Sequence, residues 1–216
     1  MKRLLFVMSE ADHTIIGGTK TCGDWRAFRA KLVPGGDRAL WERAFEDYFQ
    51  ARVRLRYLEP ISILQEHGTR RGEGFSIVAI HCTLVEFLES AVQGVTYRYV
   101  QRDADLGPYE YRKSGKAFEA FLCTREPFKN VFDPALAKDF YENVRCAVLH
   151  EARTKAGWRI WAGGPKSVIV DGNQRVLYRD NFHEALLVFI DLYRGRVVSD
   201  PAAQTAFLRK LDSLCA

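Results

Sequence analysis

A chain of 216 residues, 47% apolar and 27% charged, is long enough to bury a core without staples, and a single soluble domain is the expectation. Its 32 Lys and Arg against 27 Asp and Glu leave a net +5, which tolerates an anionic partner without demanding one. Five cysteines (Cys22, Cys82, Cys123, Cys146, Cys215) with no C-x-x-C spacing speak against a disulfide framework or a zinc site and for a reducing, cytoplasmic setting. The opening "MKRLLFVM" is too short for a secretory segment, no later run reaches about 18 uninterrupted apolar residues, and membrane spanning is not expected.

Taken in chain order, residues 1–36 stay unassigned: "KRLLFVM" has the look of a short strand, and "GGTKTCG" and "PGG" are breakers. From Asp37, an N-cap, the apolar positions Leu40, Trp41, Ala44, Phe45, Tyr48 and Phe49 predict an amphipathic helix ending before Pro60. Its far end carries Arg52, Arg54 and Arg56, charges that on a helix end are more often solvated than bound to RNA. After the loop "HGTRRGEG", residues 75–93 predict a long apolar helix capped by Gly94 and central to a bundle. Within it His81 reads as a core histidine, and Glu86 and Glu89 as hydrated helix-end carboxylates.

Residues 95–132 read as loop with one short helix, "KAFEAFLC". Asp133 and Pro134 then open a helix over 134–155, the aspartate capping and the proline filling the first turn. From about 157 to 178 the runs "WRIW", "KSVIV" and "RVLY", the last two around "DGNQ", predict a small β-hairpin or three-stranded flap. Two further helices follow, near 180–195 and from Asp200-Pro201 to Leu214.

The helix over 134–155 contains "YENVRCAVLHEAR". Leu136, Phe140, Val144, Ala147 and Val148 form its apolar stripe, and Arg145 and His150 sit on opposite shoulders, about 140° apart at 100° per residue. Between them, away from the core, lie Glu142, Cys146, Leu149 and Arg153. A solvent face seldom carries both a leucine and a cysteine at its centre. Covering by the same helix of a second copy would gather paired arginines and histidines into one seam. The opposing reading is a surface pair of Arg145 with Glu142 or Glu151 and an idle His150.

The stretch "RCAVLH" resembles the Arg-x4-His signature of HEPN domains, helical proteins many of which are metal-independent ribonucleases acting as dimers, often as toxins or defence effectors. The layout is similar too: a long apolar helix, a later helix with the motif, and a closing pair of helices. The resemblance implies a mainly α, HEPN-like bundle over 37–216, into which the β runs after the motif helix are read as a small insertion, and a homodimer, which the cysteine usage places in the cytoplasm. No cofactor or metal is implied, the partner is RNA, and there is room for an antitoxin or regulatory protein. It makes Arg145 the phosphate clamp and transition-state stabiliser, since an arginine stays charged and donates in a fork. It makes His150 the general acid or base, since histidine titrates near neutrality. Asn143, Cys146 and Arg153 are the neighbours expected to contact RNA. Trp158, Arg159 and Trp161 offer a stacking surface, against the alternative that tryptophans opening a strand belong to the core.

One departure matters. The family usually has a polar residue directly after the arginine, and Cys146 is a poorer hydrogen-bonding partner. The rival reading is therefore a non-catalytic HEPN-like module that binds RNA or a protein. No phosphate-binding loop, H-E-x-x-H or G-x-S-x-G motif is found.

Overall fold

The computed structural model describes residues 10–69 and 71–216; the strand expected of "KRLLFVM" lies outside the described residues. Where no element was expected, an antiparallel pair, β1 (Ile15–Gly17) and β2 (Lys20–Thr21), leads into helix α1 (Cys22–Arg29). Thr21 starts that helix through a reciprocal cap: its side chain accepts the Asp24 N–H, and the Asp24 carboxylate accepts the Thr21 N–H.

Helix α2 is a continuous run over 38–67, started by the Asp37 side chain on the Ala39 N–H. It does not stop before Pro60. Two wide, π-helical turns, Phe45–Gln50 and Arg54–Leu58, interrupt its α-helical register. At the end of the second, the Glu59 N–H reaches back five residues to the Arg54 carbonyl. That change of register seats a proline, which lacks an N–H, at the start of the last segment, Glu59–His67. The three arginines thus lie inside the helix rather than at its end. Arg52 and Arg56 are tied to the chain itself, donating to the Ile16 and Ile15 carbonyls at 2.8 and 3.0 Å and so holding β1 against α2.

Helix α3 (Glu73–Gln93) ends where expected: Gly94 adopts φ +65° and returns its N–H to Ala91. A side chain there would collide with the Ala206 backbone. Helix α3 is long and apolar enough to cross a membrane (mean hydropathy 1.6), as buried core helices often are, and more than half of that apolar window is buried inside the bundle. Two short strands, β3 (Thr96–Tyr97) and β4 (Glu110–Tyr111), pair in parallel before α4 (Ser114–Thr124). Helix α5 covers 134–151, with the Asp133 carboxylate 2.7 Å from the Leu136 N–H and a π-helical turn at Tyr141–Cys146.

The β insertion is a three-stranded sheet in the order β5 (Arg159–Trp161), β7 (Val176–Tyr178), β6 (Val170–Asp171), parallel and then antiparallel. Helices α6 (Arg179–Ser199) and α7 (Pro201–Ser213) close the chain, Asp200 capping the second. The result is mainly helical with small β elements, as the sequence implies.

One continuous core runs through the bundle. Phe45, Phe49, Tyr193 and Phe207 meet on one side, and Phe118, Phe140, Phe182 and Trp158 on the other. Each such ring contributes on the order of 1.5–3 kcal/mol by burial. His81 is 1% exposed, the core histidine expected of it. Two expectations about buried groups also fail. Glu89 is not a hydrated helix-end carboxylate: it is 1% exposed and holds the Arg125 guanidinium in a fork at 2.8 and 2.9 Å. And Cys22 is bonded to Cys215, 193 residues away, joining α1 to the end of α7. Neither partnership leaves a trace in local spacing.

Candidate functional site

Helix α5 presents the motif through the turn that breaks its α-helical register. Phe140, Val144, Ala147 and Val148 are buried and Leu136 half-buried, so the predicted stripe does face the core. Arg145, in the π-helical turn, lies against α3 with only 17% of its side chain exposed. Its Nη2 donates to the Glu86 Oε2 at 3.3 Å, and its Cζ lies 5.3 Å from the centre of the Tyr141 ring. The Glu86 carboxylate, 18% exposed, also accepts the Tyr111 hydroxyl at 3.4 Å. The Tyr141 hydroxyl meets the Ser114 hydroxyl at 3.2 Å.

This corrects two readings at once. Glu86 is a partner, not a hydrated helix end, and Arg145 pairs with it rather than with Glu142 or Glu151, which bind Lys138 and the Arg153–Lys155 stretch. Burial alone would pull the guanidinium downward, but Tyr141, Glu86 and Cys146 together hold it above the ordinary arginine value. It is a fixed cation. The neighbouring Cys82 thiol is pushed up to about 12 by burial, against the pull of Arg145.

The arginine remains poorly satisfied. Of its five N–H donors, one goes to Glu86 and the guanidinium also meets the Cys146 side chain, while its Nε is buried with no acceptor. A buried donor without a partner costs roughly 1–3 kcal/mol.

His150 is exposed one residue before the helix's last, and its side chain makes no hydrogen bond or ion pair to any described residue. Among the described residues nothing joins it to Arg145. Between the two, Cys146 is a half-buried free thiol and Leu149 is 43% exposed, so the strip expected to be covered by a second copy is open.

The other expected RNA contacts fare differently. Helix α5 ends at Glu151, not at 155, because Ala152 turns left-handed (φ +52°) and the Lys155 N–H folds back onto the Asn143 carbonyl at 2.9 Å. Arg153 therefore lies off the helix, exposed and paired with Glu151 at 3.0 Å. The Asn143 amide is occupied by Asp139 at 2.8 Å. Asp139 also accepts the Trp158 indole N–H at 2.9 Å, which fixes the β insertion to α5 and buries Trp158 in the core. Trp161 is 45% exposed beneath the Arg159 guanidinium.

Glu86, Tyr111, Ser114 and Tyr141 were missed. The available signal was weak but physical: Glu86 stands more than two turns before Gly94, too deep to be a helix-end charge.

A second cluster lies elsewhere on α3. His81 Nε2 and His183 Nδ1 are 3.2 Å apart, so one proton lies between the two rings. Burial, aided by His183 and Arg179, pushes His81 down to about 3, and burial lowers His183. Nearby, a cavity of about 780 Å³ opens beside the start of α3. Its buried Arg179 lies 3.5 Å from Glu73 and 3.4 Å from Asp180, so its walls carry both signs, yet the Arg179 Nε, like that of Arg145, has no hydrogen-bond acceptor.

Set against family models, curated proteins and solved structures, the chain gives no match.

Proposed function

We propose that this protein is a metal-independent, HEPN-type endoribonuclease that works as a homodimer, in the manner of a toxin or defence effector. The observation that carries the reading is Arg145: a cation held in place by Glu86 and Tyr141, yet with a buried Nε lacking any acceptor. The part of the side chain left 17% exposed is the edge at which a phosphate would meet this cation. The open strip of Cys146, Leu149 and His150 supports a second copy as the missing wall.

The chemistry needs no metal because RNA carries its own nucleophile. The 2′-oxygen attacks the adjacent phosphorus, a neutral His150 takes the hydroxyl proton, and the P–O5′ bond breaks. The leaving 5′-oxygen receives a proton from a protonated His150, and two copies of the chain provide two such histidines. Arg145 stabilises the charge growing on the phosphoryl oxygens. The products are a 2′,3′-cyclic phosphate and a free 5′-hydroxyl.

Incubation of purified protein with RNA in EDTA tests this. Arg145→Ala and His150→Ala each abolish cleavage while folding and dimerisation persist; retained cleavage in both variants removes the site. A second reading, a non-catalytic module binding RNA or protein, draws support from the Glu86 carboxylate already on Arg145 and from Cys146 beside it. On that reading the wild type is inactive and Cys146→Asn gains cleavage.

A further inference from the structure

Between α3 and α4 the chain builds a lobe, residues 95–113, around the parallel pair β3–β4. Two of its tyrosines face water, Tyr97 48% exposed and Tyr99 88%, whereas Tyr109, 58% exposed, has the Arg209 guanidinium over its ring at 4.1 Å. Large rings contribute stability by being buried, and Tyr99 buries almost nothing. The lobe's charges, by contrast, are spent internally. Arg98 meets Glu110 at 2.9 Å, Arg102 meets Asp105 at 3.0 Å, and Arg112 and Lys113 both hold Asp103. What this surface offers a partner is ring faces rather than free charge.

The lobe is also wired to the candidate site. The Tyr97 ring stands edge-on to Tyr111 at 5.6 Å, the Tyr111 hydroxyl donates to Glu86, and Glu86 holds Arg145. The Tyr97 ring is thus a short chain of contacts from Arg145, on the lobe that also carries Tyr99.

We propose that this lobe is the platform on which unpaired RNA bases stack while the backbone meets Arg145, with Tyr99 and Tyr97 as the stacking residues. The proposal rests on the RNA-cleaving reading for its ligand. A paired base hides its faces inside the duplex, so the platform selects single strands. It needs no sequence-specific hydrogen bonds, because every base has a π-face.

The test is equilibrium binding of a fluorescently labelled ten-nucleotide single-stranded RNA, and of its duplex, in EDTA. The full chain carries His150→Ala throughout so that turnover does not intervene. With the tyrosines intact, the single strand binds more tightly than the duplex. Tyr99→Ala weakens single-strand binding by about five- to tenfold, the low end for a lost base stack, whereas Tyr99→Phe, which keeps the ring, binds as its parent. At 88% exposure, Tyr99 can be replaced without disturbing the fold. The platform is overturned by any of three results: no affinity for the single strand, unchanged binding in Tyr97→Ala/Tyr99→Ala, or equal loss in the Phe and Ala variants. Ring-dependent binding by a protein that never cleaves RNA would leave the platform standing and remove the catalytic reading alone. Cleavage with ring-independent binding would do the reverse.

Discussion

Glu86→Gln separates the two jobs assigned to that carboxylate. In the free protein it holds Arg145 through one hydrogen bond of 3.3 Å between side chains 17% and 18% exposed. Such a pair is shielded from solvent more than a surface pair, worth about 0–1 kcal/mol, and less than a buried one, whose breakage costs about 3–5 kcal/mol. Glutamine keeps an acceptor oxygen and loses the charge, so the expected loss of stability is about 1–2 kcal/mol. For a chain of this length that lowers the melting midpoint by roughly 2–8 °C. RNA should respond in the opposite direction. A phosphate seated on Arg145 brings its charge to roughly 6 Å from the carboxylate, a repulsion of about 1–3 kcal/mol between water-like and protein-like screening. Salt keeps the effect near the lower end, so Glu86→Gln binds RNA about three- to tenfold more tightly, with the gain shrinking as salt rises. A melting curve and a salt series of binding isotherms measure both. An unchanged midpoint together with unchanged or weaker RNA binding would refute the reasoning, because Arg145 would then neither lean on Glu86 nor meet a phosphate.

Arg125→Ala strands the Glu89 carboxylate, 1% exposed, without its bidentate cation. A loss of about 3–5 kcal/mol is expected by urea unfolding, and a loss below about 1 kcal/mol would show that water reaches the carboxylate. For His81, whose folded value is lowered to about 3 from 6.5, the unfolded chain binds a proton that the folded chain refuses. The stability this histidine permits is complete above about pH 6.5 and is lost as pH falls toward 3, at up to about 1.4 kcal/mol per pH unit. His81→Gln should flatten the acid limb of the stability profile between pH 6.5 and 5, where most carboxylates are still silent.

The legible parts of the fold are those set by neighbours in sequence. Asp133-Pro134 and Asp200-Pro201 open helices, Gly94 ends one, and the strand runs flanking "DGNQ" pair with one another in the insertion. Each acts through its own backbone within a few residues. Pro60 does not end the helix because a wide turn just before it, Arg54–Leu58, shifts the hydrogen-bond register. The site was half legible for a similar reason. The exposed strip on α5 follows from helical periodicity, but the hold of Glu86 on Arg145 joins residues 59 apart. The Cys22–Cys215 bond spans a still longer interval. Periodicity carries no information about such partners.

Helix α3 ends at Gln93, and much of what covers its apolar surface comes from α4, α6 and α7, all made later; α6 begins only at Arg179. During translation, residues 94–178 must be polymerised before α6 starts to appear. At ~5–20 residues per second this is a delay of several seconds or more. Throughout that interval the ribosome displays a segment with the composition of a bilayer span and an incomplete set of intramolecular partners. Slowing of synthesis between α3 and α6 therefore prolongs the exposure of this apolar surface.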